Sequence, residues 1–300
     1  MSGRRDDHPG SVSGVSIRVD HAAGAVGPDA GRHPVDRSRP ALVAVAHGSR
    51  DGRSAATMAA LTRAVREHAP GLDVRLSFLD FNAPRLPDVL AAVAADGHSQ
   101  AVVVPLLLGA AYHAKVDVPA AVDAAVHRHP RLRIVTSQVL GSAPVRGPWC
   151  SSAAYRARAA QPLLDVAFAR LREAGADPDD PGLGIVLAGA GSSDPTANAV
   201  VAGLAASRPR TVAAFAAGAG PKVDAALASL RDRGATRFAV APWFLAPGRL
   251  LDRVRTTAQA AAPGVVAAEP LGDHPVVAQV LLGCYRAAGA ETEECADAVG

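Results

Sequence analysis

From residue 41 onward, short uninterrupted apolar runs alternate with longer stretches in which apolar residues recur every three or four positions. Residues 41–46, ALVAVA, are apolar throughout and break into the polar turn HGSRD. That is the pattern of a buried parallel strand carrying polar residues at its carboxyl end. Residues 54–68 put Met58, Leu61 and Val65 on one helical face, and Pro70-Gly71 stops the helix. Residues 74–79 then read as strand, 86–95 as a helix closed by Gly97, and 101–108 as strand. Helix follows over 116–127, strand over 132–135, and helix over 163–174, ending at Gly175. Strict alternation of this kind predicts an α/β fold, a parallel sheet with helices on both faces. In such sheets ligands bind beyond the carboxyl ends of the strands.

The pattern then repeats. GIVLAGAGSSD at residues 184–194 matches ALVAVAHGSRD at residues 41–51, with Gly191-Ser192 on Gly48-Ser49 and Asp194 on Asp51. Phe215 and Pro221 answer Phe78 and Pro84, Pro242 answers Pro105, and Leu271-Gly272 answers Leu140-Gly141. A spacing of about 140 residues is far longer than any solenoid repeat, so each copy should be a domain. The expected organisation is a leader at 1–40, a first domain at 41–176 and a second at 183–288. A tail follows at 289–300, and an insert at about 147–161 breaks the rhythm of the first domain.

The copies differ where chemistry would sit. His47 is answered by Ala190, His113 by Leu250 and Asp80 by Ala217. An active half beside a degenerate half explains three coincident losses. Imidazoles bind borderline divalent metals at neutral pH without first losing a proton, and two histidines beyond neighbouring strands can share one metal. Taken singly, each is equally read as capping a strand end. Asp80 is a candidate base or further ligand, or an Asx-turn leading into Asn82-Ala83-Pro84. Gly48-Ser49 before a helix suits an anion on free backbone N–H groups. Arg50, Arg53, Arg85 and Lys115 gather near the same strand ends and would suit a polyanion, while His68, His98, His127 and His129 fall at helix ends or turns, where they complement the helix dipole.

Composition narrows the classes. The chain is 49% hydrophobic but only 4% aromatic, so Ala, Val and Leu do most of the packing. A net charge of +3 with no basic run argues against nucleic acid. No apolar run approaches the roughly 18 residues of a membrane span. Cys150, Cys284 and Cys295 are scattered without CxxC spacing, which fits a reducing compartment. With no apolar segment at the N-terminus to direct secretion, the cytoplasm is expected. Residues 1–40 read as a disordered leader.

The motifs HGSRD (47–51), FLDFNAP (78–84), PLLLGAAYHAKVDVP (105–119) and PWFLAPGRLLDRV (242–254) resemble those of the class II tetrapyrrole chelatases, in particular the sirohydrochlorin chelatases. The resemblance covers residues 41–288. It implies two chelatase-like α/β domains facing across a cleft, with His47 and His113 as metal ligands and Asp80 where the family usually has Glu. Ser49, Arg50, Arg53, Arg85, Tyr112 and Lys115 would contact substrate. The implied substrates are sirohydrochlorin, a polycarboxylate, and a divalent metal, Fe²⁺ ahead of Co²⁺, with no permanently bound cofactor. A single chain would supply both walls of the cleft, so a monomer is expected. A metal chaperone or sensor and a two-lobed binding protein are the rival classes.

Overall fold

The computed structural model describes residues 34–108, 118–142 and 159–297, with side chains through residue 290. β1 (Ala41–Ala46) is buried at every position. It leads into α1 (Gly52–His68), β2 (Val74–Phe78), α2 (Leu86–Ala95), β3 (Gln100–Pro105), α3 (Val118–Arg128), β4 (Arg133–Thr136) and α4 (Gln161–Glu173). The second copy runs β5 (Leu183–Gly189), α5 (Pro195–Ala206), β6 (Thr211–Phe215), α6 (Val223–Asp232), β7 (Arg237–Trp243), α7 (Arg249–Ala261), β8 (Val266–Ala267) and α8 (Pro275–Asp297). The sheets have strand orders β2-β1-β3-β4 and β6-β5-β7-β8, with all pairings parallel. The expected α/β class and its duplication are therefore both present. β1 and β5 lie inside their sheets at the point where strand order reverses, where a crevice opens beyond the carboxyl ends.

Alternate side chains of each sheet enter different cores. Ala41, Val43 and Val45 pack with Leu86, Leu90, Val118 and Val122 of α2 and α3. Val186, Ala188 and Val240 pack with Leu227, Leu251 and Val254 of α6 and α7. The opposite faces of both sheets, Leu42, Ala44 and Val104 with Ile185, Leu187 and Ala241, share one central core with α1, α4, α5 and α8. Two faces of one strand buried in two cores is why these runs are continuously apolar rather than alternating.

The central helices are exchanged between the repeats. α4, which the sequence places at the close of the first copy, lies against β7, while α8 lies on β3, β4 and α1. Arg170 of α4 donates to the Leu271 carbonyl at 3.4 Å, and the Tyr285 hydroxyl of α8 donates to the Pro40 carbonyl at 2.8 Å. The described residues consequently hold together as one compact unit. Asp36 N donates to the Gly71 carbonyl at 2.9 Å, which joins a residue of the expected leader to the first copy. α8 continues through Asp297, well into the segment read as a tail.

Candidate functional site

The turn after β1 is shaped by its neighbour after β2. Asp80 N donates to the His47 carbonyl at 2.8 Å, just as Leu79 N donates to Ala46. The backbone at Gly48 has φ +93°, and a Cβ there would stand 1.8 Å from the Asp80 carbonyl oxygen. Only glycine fits so close an approach in the left-handed region. Ser49 N donates to Asn82 Oδ1 at 2.7 Å, and Ser49 Oγ accepts from Asp51 N at 3.0 Å. The Ser49 amide expected to cradle an anion is thus engaged within the protein. Asp51 caps α1 by accepting from Arg53 N at 3.0 Å.

His47 leaves β1 half-buried. Its ring meets Phe81 edge-on with centroids 6.1 Å apart, and the Arg50 guanidinium lies 5.3 Å from the centre of the same Phe81 ring. Asp80 is exposed. The Phe81 backbone N–H at 2.8 Å and the Arg85 guanidinium at 3.0 Å hold its carboxyl below the usual carboxylate range. Asp80 is therefore ionised at neutral pH and only a weak base. Arg85 also donates to the Leu79 carbonyl at 2.7 Å, so it braces the Asp80 turn as well as facing solvent. Arg53 reaches two carboxylates, Asp51 at 2.6 Å and Asp252 of α7 at 2.5 Å. The second contact ties the rim of the first copy to that of the second.

The second copy keeps this framework without the chemistry. Ala217 N donates to the Ala190 carbonyl at 2.9 Å. Gly191 has φ +86°, and a Cβ there would stand 2.0 Å from the Ala217 carbonyl oxygen. Ser192 N takes its acceptor from Asn198, and Asp194 caps α5. Backbone geometry is thus duplicated at the level of single hydrogen bonds, with Ala190 and Ala217 in place of His47 and Asp80.

Structure brings together His47, Ser49, Arg50, Arg53, Asp80 and Arg85 on one rim. Tyr112, His113 and Lys115 lie outside the described residues, as does most of the expected insert. Among the described residues, no three His, Cys, Asp or Glu side chains converge as a metal cage. Sequence reasoning passed over Phe81, which is 47% exposed with φ +60°. An aromatic inside FLDFNAP, directly after the candidate base, was the available signal. Asp252 was missed because its partner lies in the other repeat. Of the remaining histidines, His68 and His127 bond carbonyls one turn back, at 2.8 and 2.7 Å. His98 departs from its expected role at a helix end, since it is buried with Nε2 3.0 Å from Asp73 Oδ2.

A doubly wound, duplicated α/β chain with a histidine and a carboxylate on one rim has the form of a metal-inserting enzyme of the class II chelatases. The CbiX family model matches residues 41–152 and 184–288, and the chain belongs to that family. It is 26% identical over 258 residues to a sirohydrochlorin ferrochelatase of Bacillus subtilis, covering 84% of this chain and 93% of that one. A shorter match, 32% identical over 68 residues, is to a sirohydrochlorin cobaltochelatase of Priestia megaterium and covers 23% and 22% of the two chains. The solved structure of SirB from B. subtilis with Fe³⁺ superposes with a TM-score of 0.68 at 25% identity, over 85% of this chain and 98% of that one. Among the described residues no helix is long and apolar enough to cross a membrane.

Proposed function

We propose that this chain inserts a divalent metal, Fe²⁺, into sirohydrochlorin on the route to siroheme. The carrying observation is the one-sided chemistry of two matching turns: His47 and Asp80 stand where the second copy has Ala190 and Ala217, while the backbone hydrogen bond that joins the two turns is the same in both copies. The longer of the two relative matches, to a ferrochelatase, supports Fe²⁺ over Co²⁺.

In this reading His47 and His113 receive the metal as substrate, and two protein ligands leave it open to exchange. Insertion releases two protons from the pyrrole nitrogens. Asp80, held below the usual carboxylate range, is a poor acceptor for them. Asp80 instead contributes negative charge that favours the arriving cation and, through Arg85, fixes its own turn. Arg50, Arg53, Arg85 and Lys115 form a cationic rim for the substrate carboxylates, with Ser49 and Tyr112 offering hydroxyls. Phe81 presents an aromatic face beside His47, where a macrocycle can stack. The work would take place in a reducing compartment, the cytoplasm, and one chain would suffice.

Anaerobic incubation with sirohydrochlorin and Fe²⁺, Co²⁺ or Ni²⁺, followed by absorption, tests the assignment. His47→Ala should slow insertion by about 100-fold or more, while metal-free sirohydrochlorin still binds. Faster insertion of Co²⁺ than Fe²⁺ would move the protein to the cobalamin route. Tight metal binding indifferent to sirohydrochlorin would make it a metal carrier instead.

A further inference from the structure

We infer that Asp252 is an internal carboxylate that occupies a carboxylate-binding position on Arg53, and that a substrate carboxylate must replace it. The inference rests on the chelatase reading for the identity of that substrate, though not for the chemistry of the position. Arg53 is the second residue of α1, on the rim that carries His47. Its guanidinium is held from one side by Asp51, with Nε 3.1 and 3.2 Å from the two carboxylate oxygens and Nη2 at 2.6 Å. Asp51 is itself fixed as the cap of α1. The outer edge of the guanidinium is thereby aimed across to the second copy. There Asp252 takes it with both oxygens, Nη1 to Oδ1 at 3.4 Å and Nη2 to Oδ2 at 2.5 Å. Two parallel N–H donors meeting two oxygens is the geometry by which arginine recognises any carboxylate. Asp252 thus marks where a ligand carboxylate would lie.

The contact is built to exchange. Both partners are well exposed, 52% for the Arg53 side chain and 43% for Asp252, and ion pairs between exposed side chains add little stability and are screened by salt. Asp252 sits in the first turn of α7, where the helix dipole stabilises a carboxylate even without Arg53. Asp51 keeps Arg53 oriented whichever carboxylate fills the outer edge. A ligand that binds only when the site is vacated has its affinity reduced by the vacant fraction. If Asp252 holds Arg53 about 80% of the time, that reduction is about fivefold. The pair would then favour polycarboxylates, which can displace Asp252, over apolar macrocycles of similar shape.

The test is binding of metal-free sirohydrochlorin, followed by quenching of its fluorescence, in wild type, Asp252→Asn, Arg53→Gln and the double variant. Asp252→Asn should lower Kd about fivefold at about 50 mM salt, and the gain should shrink at about 500 mM. Arg53→Gln should raise Kd, and adding Asp252→Asn to it should change nothing. Citrate, titrated while the Arg53 Nε–H resonance is followed by NMR, provides a second carboxylate probe and should shift that resonance at lower concentration in Asp252→Asn. If Asp252→Asn leaves both affinities unchanged or weakens them, the pair is a structural clasp and the inference is wrong. If citrate gains while sirohydrochlorin binds to neither protein, the carboxylate position stands and the chelatase reading falls.

Discussion

Phe81 holds the least favourable backbone near the candidate site, a bulky residue with φ +60°. Such conformations cost about 1–3 kcal/mol and persist where surrounding contacts enforce them. Here Asp80, braced by Arg85, accepts from the Phe81 N–H, and the ring is turned out beside His47 and Arg50. Phe81→Gly should therefore leave Tm unchanged or slightly raised, because glycine relieves the backbone and an exposed ring contributes little packing. Tetrapyrrole affinity should fall about tenfold with the lost stacking surface; a lower Tm with unchanged affinity would make the ring structural. Asp80 gives a separate residue-scale expectation. Its carboxyl, held below the usual carboxylate range, stays ionised across the acid limb of the insertion profile, so that limb belongs to another group. Asp80→Asn should lower kcat less than about tenfold and leave that limb in place. A limb that moves with Asp80→Asn would assign the base to Asp80.

Among the elements, the exchanged helices decide how the repeats depend on each other. α4 buries Leu163, Leu164, Ala167, Phe168 and Leu171 in the shared core, and α8 buries Val277, Ala278, Leu281 and Leu282 there. Cutting the chain within 177–182 would leave each repeat holding the helix that covers the other's sheet. Either half expressed alone should be insoluble or pair with a second copy of itself, since swapping is the easiest way to restore the missing cover. The two halves coexpressed should form a one-to-one complex. A stable monomeric half in gel filtration would show that the exchange is dispensable. The strands and helices themselves were readable from apolar spacing, down to the Pro70-Gly71 stop and the Gly97 closure, because burial on a strand or on one helical stripe leaves a local period. The destination of α4 was not readable. Its apolar stripe fits either sheet; in the structure α8 occupies β3 and β4, and α4 packs on β7.

At the scale of the whole molecule, a charged network braces the first sheet at the amino-end edge of its strands, away from the candidate site. Asp73 accepts from Arg75 at 2.6 Å and meets His98 at 3.0 Å, while Arg75 reaches on to Asp96 at 2.6 Å. Burial pushes the Asp73 carboxyl up, but Arg75 and His98 outweigh it and hold the carboxyl below its ordinary value. A group whose folded pKa is depressed adds stability above its unfolded pKa and loses it as pH falls through the folded one. Asp73→Asn should thus cost about 1–2 kcal/mol after allowing for solvent screening, roughly 3–6 °C in Tm. The Tm gap from wild type should be open at about pH 5, start to narrow below about pH 4 and close only below the depressed folded pKa. A gap that persists in acid would mean packing rather than charge.

The sequence by itself determined the α/β class, the duplication and the asymmetry between its copies, with His47, Asp80 and their neighbours on the carboxyl ends of the strands. Each of these is written in local periods or in pairs of residues at matching positions, which need no knowledge of what lies opposite. Tertiary structure alone decided what those residues touch. It engaged the Ser49 amide with Asn82, set Arg85 against Asp80, and joined Arg53 to Asp252 across 199 positions. It also buried His98 against Asp73, and sent each repeat's closing helix to the other's sheet. Such pairings depend on distances between segments remote in the chain, and a short-range pattern of apolar and polar residues carries no record of them.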